Sequence, residues 1–200
     1  MTQKIKIAVL ISGGGSNLKA LIDASKAGDY PAEIVCVASN RPDAGGLRHA
    51  EDAGIPAHIV NHKEYDGREA FDEALIEVLA PYGVGLVCLA GFMRILTPRF
   101  IDAYEGRILN THPSLLPKFG GEGMYGMHVH SAVIDAGESV SGVTIHKVIS
   151  EVDRGEIVLQ REVRVEDKDT PDALAARVLR EEHIGYPLAV KAIAEKMLNF

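Results

Sequence analysis

Asn110, His112 and Asp153 are the residues of this chain whose chemistry could be put to joint use. The first two belong to the run Asn110-Thr111-His112-Pro113-Ser114-Leu115-Leu116-Pro117, which leaves a short apolar segment beginning at Ile108. An asparagine amide can donate to a developing oxyanion. An imidazole can shuttle a proton near neutral pH or, when protonated, stabilise the same charge. Pro113 and Pro117 stiffen the backbone just beyond. Asp153, within Glu151-Val152-Asp153-Arg154-Gly155, could pair with His112 and favour its charged form. Each also has a plainer reading: Asn110 as a turn residue, His112 as a structural histidine, Asp153 as turn chemistry ahead of Arg154-Gly155. Spacing alone does not show that residues 112 and 153 meet.

A second candidate is Ser12-Gly13-Gly14-Gly15-Ser16-Asn17, which joins an apolar run to a helical pattern. Glycines let backbone N–H groups approach an anion, and a helix N-terminus adds unpaired donors and the positive end of its dipole. The plainer alternative is a tight turn with a serine N-cap. A dinucleotide fingerprint is disfavoured because Leu18 stands where a third glycine belongs and Ser39-Asn40-Arg41 offers no carboxylate for a ribose. No Gly-Lys-Ser or Gly-Lys-Thr follows, which excludes a P-loop. A single phosphate on a small molecule fits better. His128 and His130 have His-x-His spacing but no further ligands nearby, so a helix start is favoured over a metal site.

Short apolar runs alternate with helical periodicity and must position these groups. Strands are expected over 5–11, 34–38, 57–60, 86–90 and from 108, and helices over 16–27, 47–53 and 68–79. This alternation predicts an α/β fold with a doubly wound, mostly parallel sheet, whose ligand sites lie at the carboxyl edge. Beyond about residue 118 the pattern changes to a glycine-rich loop at 120–126, a helix over 129–136, and strands over 140–149 and 157–165. With no long helix between them, these last two are expected to form an antiparallel C-terminal pair. Thr170-Pro171-Asp172 opens a final helix, with Thr170 as N-cap.

Two hundred residues suit one domain. A 46% hydrophobic and 24% charged composition is that of a soluble globular protein. The net charge of -7 gives no field favouring nucleic acid, so an anionic ligand needs a local site. No run of eighteen apolar residues argues for a membrane span, and the N-terminus lacks a signal-peptide pattern. Cys36 and Cys88 lie in apolar runs and read as buried packing residues. The cytoplasm is the expected setting.

Taken together, Ser12-Gly13, Gly15-Ser16-Asn17-Leu18, Leu89-Ala90-Gly91-Phe92-Met93-Arg94-Ile95-Leu96, the 110–117 segment, 143–146, Glu151-Val152-Asp153 and Glu182-His183 closely resemble the phosphoribosylglycinamide formyltransferase family of the folate-dependent formyltransferases. The resemblance covers nearly the whole chain. It implies a Rossmann-like formyltransferase fold as one domain over 1–200, with a phosphate-binding half at 1–110 and a folate and catalytic half at 111–200. The implied reaction moves formyl from 10-formyltetrahydrofolate to the amine of 5-phosphoribosylglycinamide in purine biosynthesis, without a metal. Gly15, Ser16 and Asn17 would hold the phosphate and Glu182 the ribose. Arg68, Met93, Arg94, Ile95 and Leu96 would line the folate site with Asn110, opposite a wall of Ile149, Ser150, Glu151, Val152 and Asp153. Asn110, His112 and Asp153 would be catalytic, and His146 would support them. The partners would be these small molecules, not nucleic acid or membrane, and the protein a monomer or homodimer. Leu179 departs from the pattern, standing where the family has a polar or basic residue near the phosphate, so that contact is lost or supplied by Arg180. The 120–127 loop is unusually glycine-rich.

Two other readings remain open at this point. A formyltetrahydrofolate hydrolase would use water as acceptor and leave the phosphate loop without purpose. A non-catalytic folate- or nucleotide-binding module would bind without turnover.

Overall fold

The β-branched run Ile5–Ile11 forms β1, whose last five residues are buried, as a parallel strand covered on both faces requires. Alternate residues feed two cores: Ile7, Val9 and Ile11 one, Ala8 and Leu10 the other. In the computed structural model, which describes residues 3–199, six further strands join it. They are β2 (Ala32–Ser39), β3 (Ala57–Ile59), β4 (Leu86–Leu89), β5 (Ile108–His112), β6 (Val140–Lys147) and β7 (Ile157–Arg164). The seven-stranded sheet has the order β3-β2-β1-β4-β5-β6-β7. Pairing is parallel from β3 to β5 and antiparallel for β5–β6 and β6–β7. The expected doubly wound sheet is present, and its antiparallel part includes one more ladder than the expected terminal pair.

Helices cover both faces. On one side α1 (Ser16–Ser25), α5 (Met127–Asp135) and α6 (Pro171–Leu198) bury Leu18, Leu21, Val133, Val178 and Tyr186. On the other, α3 (Arg68–Leu79) and α4 (Pro98–Ala103) bury Phe71, Leu75, Leu79, Phe100 and Ile101. The short α2 (Gly46–Asp52) packs beside α1. The bounds of α3 are those that its spacing predicts, and α6 starts as expected, with the Thr170 hydroxyl accepting from Ala173 N at 3.2 Å. In contrast, α4 has no counterpart among the expected elements. Six residues are too few for periodicity to register, although Thr97-Pro98 is a helix-start signal. Among the described residues, no helix is long and apolar enough to cross a membrane.

Strand order reverses at β1, which lies between β2 and β4. The chain leaves in opposite directions there, so a crevice opens above the carboxyl ends of β1 and β4. Tyr186 of α6 fixes the neighbouring strand ends. Its fully buried hydroxyl lies 3.0 Å from the carbonyls of both Leu89 and Leu109. In β5, Ile108 belongs to the core under α3 and α4 and Leu109 to the core under α6. By strand alternation Asn110 and His112 share the side of Ile108, and Thr111 shares the side of Leu109.

Candidate active site

The loop after β1 closes tightly onto α2. Gly46 N–H donates to the Gly13 carbonyl at 2.9 Å, and a Cβ on Gly15 would lie 2.5 Å from Gly46 Cα. Gly15 also has φ 73, so both sterics and backbone favour glycine. It caps α1 without any side-chain bond, which rules out the serine N-cap and leaves first-turn N–H groups for an anion. Gly15→Ala is expected to cost about 1–3 kcal/mol of stability, read from the denaturant midpoint at unchanged slope.

A cavity of about 870 Å³ occupies the crevice, a size suited to a drug-sized organic ligand. Residues 93–96 and 149–153 line it, together with Asn110, His112, Asn17 and Glu182. Gly15 and Ser16 are not on the cavity wall; they precede Asn17 at the mouth of α1. Arg68 also stands outside the wall but donates from Nη2 to the Ile95 carbonyl at 3.1 Å. Leu179 lines the cavity and is partly exposed, while Arg180 is exposed and outside the lining.

The 93–96 wall is fixed from below. Met93 N–H donates to Ser12 Oγ at 2.8 Å, and Asp72 Oδ2 accepts from Thr97 N at 2.6 Å and Thr97 Oγ1 at 2.7 Å. Burial pushes the Asp72 carboxyl above its usual range, against the lowering effect of those bonds. Asp72 was not singled out from sequence. The available signal was an acid in register with Leu75 and Leu79 on the apolar stripe of α3.

His112 and Asp153 meet as expected. His112 Nδ1 lies 3.4 Å from Asp153 Oδ2, with both side chains nearly enclosed. The other ring nitrogen, Nε2, lies 2.8 Å from the Phe119 carbonyl; a carbonyl only accepts, so Nε2 carries a hydrogen. Titration of His112 therefore occurs at Nδ1, facing Asp153. Burial holds the His112 pKa below the ordinary imidazole value, with the Asp153 charge and the Phe119 bond only partly offsetting it. Asp153 thus favours the charged ring, as the sequence led us to expect, but desolvation outweighs it. For Asp153 itself burial acts upward, yet His146, the Gly121 N–H at 2.9 Å and the His112 charge bring its carboxyl below the usual range.

Asp153 reaches this position through a tight turn. It has φ 57, a left-handed conformation that aspartate tolerates better than most residues. Nearby, a Cβ on Gly155 would collide with the Lys147 carbonyl, so residues 151–155 fold closely onto the end of β6.

On the α6 side, Thr111 Oγ1 donates to Glu182 Oε1 at 2.8 Å and Asn17 bonds the same carboxyl group. Burial pushes the Glu182 carboxyl above its usual range despite both bonds. Asn17 Oδ1 is buried without a hydrogen-bond partner. His130, on α5, also lines the cavity with its Nδ1 unpartnered, whereas His128 is exposed. Their His-x-His spacing therefore does not converge, and among the described residues no group of three His, Cys, Asp or Glu is arranged to hold a metal.

A doubly wound sheet with a cavity at its switch point, flanked by a glycine-rich loop at a helix N-terminus and an Asn–His–Asp cluster whose His and Asp side chains are nearly enclosed, defines an α/β protein with a site suited to small anionic molecules. The chain belongs to the formyl transferase family, whose profile matches residues 5–190. It is 43% identical to phosphoribosylglycinamide formyltransferase of Escherichia coli (strain K12), over 98% of this chain and 90% of that protein. It is 48% identical to the trifunctional purine biosynthetic protein adenosine-3 of Gallus gallus over 96% of this chain, spanning 19% of that longer protein. The crystal structure of glycinamide ribonucleotide transformylase 1 from Symbiobacterium toebii superposes with a TM-score of 0.91 at 44% identity, covering 96% of this chain and 89% of that one.

Proposed function

We propose that the protein transfers formyl from 10-formyltetrahydrofolate to the primary amine of 5-phosphoribosylglycinamide, releasing tetrahydrofolate, in purine biosynthesis. One observation carries this reading. Half-buried Asn110 and the nearly enclosed His112 and Asp153 side chains share a single cavity with Asn17 and Glu182, in a chain matching 90% of the length of a protein of that name. Gly15, Ser16 and Asn17 receive the phosphate, and Glu182 the ribose hydroxyls. The apolar wall at 93–96, with Met93 and Ile95 exposed to the cavity, takes the flat pteridine against 149–153. We assign the reaction to one domain working in the cytoplasm, as a monomer or homodimer.

Formyl transfer requires a donor at the carbonyl oxygen and a route for one proton from the attacking amine to the departing nitrogen. Asn110 supplies an amide N–H. His112, whose pKa burial holds below the ordinary imidazole value, offers Nδ1 as the base that takes the amine proton and returns it to the departing folate nitrogen, while Asp153 stabilises the imidazolium formed in between. The Phe119 carbonyl fixes the tautomer that leaves Nδ1 unprotonated beside Asp153.

The test is to incubate the protein with 10-formyltetrahydrofolate, with and without the ribonucleotide, and follow tetrahydrofolate release. Release only in the presence of the ribonucleotide supports the proposal. Formate production without it, or binding without turnover, overturns it.

A further inference from the structure

Glu182 reaches the cavity from α6 and is only 8% exposed. A carboxyl so enclosed needs hydrogen-bond donors, and those that support it are neutral. Thr111 Oγ1 meets Oε1 at 2.8 Å, and the Asn17 side chain bonds the same carboxyl group. An amide donates only through its NH2 end, which agrees with Asn17 Oδ1 being left buried without a partner. Glu182 is therefore held from two elements at once, α1 and β5.

The two supports differ in what they are tied to. Asn17 belongs to the first turn of α1, directly after the glycine loop. Thr111 stands between Asn110 and His112 and is held in the β5–β6 ladder opposite Ile145. Its β-branched side chain has few rotamers open to it, so the strand places the hydroxyl. That hydroxyl suits either ionisation state of its partner, because it can donate to a carboxylate or accept from a carboxylic acid. A carboxylate offers about four acceptor positions; with one given to Thr111 and one to Asn17, about two are left for the hydroxyls of a ligand.

Resting on the formyl-transfer reading, we propose that Thr111 is a positioning residue for the ribonucleotide: by tying Glu182 Oε1 to the strand that carries Asn110 and His112, it fixes where the ribose diol sits relative to the reacting groups. The anchor of one substrate and the groups that act on its amine are thus set by adjacent residues of one strand. Thr111 works through Glu182 and not on the reacting atoms.

Two variants and one spectroscopic reading test this. Thr111→Val keeps the branched shape and the strand preference. It is expected to raise KM for the ribonucleotide about tenfold, the effect of one lost hydrogen bond to a charged group, with kcat and the folate KM each changed less than about threefold. Thr111→Ser keeps the hydroxyl and should bring the ribonucleotide KM back to within about threefold of the parent. In the Glu182→Ala background, Thr111→Val should cause no additional loss of kcat/KM, because the group it positions is gone. A serine variant as impaired as valine, or a fall in kcat with KM unchanged, overturns the proposal. Losses that multiply with Glu182→Ala overturn it as well, since Thr111 would then contact the ligand itself. Independently of turnover, the Glu182 carboxyl can be followed by 13C NMR in the free protein. The groups facing it are Thr111 from β5, Asn17 from α1 and Tyr186 from its own helix. Loss of a donor disfavours the charged form, so the titration should move to higher pH in Thr111→Val and stay in place in Thr111→Ser. An unmoved titration in the valine variant refutes the positioning role whether or not formyl transfer is the reaction, whereas a failed assay of the parent protein refutes only the reaction.

Discussion

His112→Ala is expected to lower kcat by about a hundredfold to a thousandfold, equivalent to roughly 2.7–4 kcal/mol of transition-state stabilisation, while KM for either substrate changes little. The imidazole meets Asp153 at Nδ1 and the Phe119 carbonyl at Nε2, and neither ring nitrogen bonds to the 93–96 wall or to the Asn17–Glu182 pair. Truncation removes the proposed base and leaves the residues proposed to hold each substrate in place. Steady-state kinetics with each substrate varied in turn, on protein whose circular dichroism matches the parent, provide the check. Turnover close to the parent value would rule out His112 as the base.

Asp153→Asn is expected to lower kcat by about a hundredfold or more, because the imidazolium formed during transfer loses the charge that stabilises it. Two pH effects accompany the change. Burial already holds His112 below the ordinary imidazole value and the Asp153 charge is the main effect opposing it. With that charge removed, the His112 titration followed by NMR should move to lower pH. The second concerns stability. The folded-state pKa of Asp153 lies below its unfolded value, so its ionised form stabilises the fold above the ordinary carboxylate range, and that contribution is lost as pH falls through the folded pKa. Chemical denaturation should find the variant less stable than the parent at pH 7, with the gap closing below about pH 4. An equal gap at both values, or a His112 titration that moves upward, would contradict the pairing.

Much of the scaffold could be read in advance because its cause is local. Apolar β-branched runs became β1, β2 and β4, and the stripe Phe71, Leu75 and Leu79 became α3. The missing α4 is held by two large side chains in the core rather than by a repeating pattern. The Asn110–His112 segment stood out in the sequence because two reactive side chains fall on one short strand end. The sequence offers Asp153 as its partner, but spacing could not show the two meeting, because that depends on a turn after β6 folding back over the sheet. The contacts that immobilise the cavity were least visible. Ser12 meets the Met93 backbone across 81 positions, Asp72 meets Thr97 across 25, and Tyr186 meets Leu89 across 97. Nothing in the spacing of a serine, an aspartate or a tyrosine announces a partner that far along the chain. Likewise, sequence gave the sign of Asp153's influence on His112 but not the depth of burial that outweighs it.

The alternation within β5 has a consequence for how the chain can change. Asn110 and His112 serve one side of the sheet while Thr111, between them, reaches Glu182 on the other. Inserting or deleting one residue ahead of Asn110 would exchange the two sides, turning the threonine toward Asp153 and the Asn110–His112 pair toward the helix that carries Glu182. Substitution can therefore tune this strand but length variation cannot, and tolerated growth or shrinkage of the chain is expected in segments such as 122–126, which lie beyond the Gly121 bond to Asp153 and before α5 and whose side chains answer to no ladder.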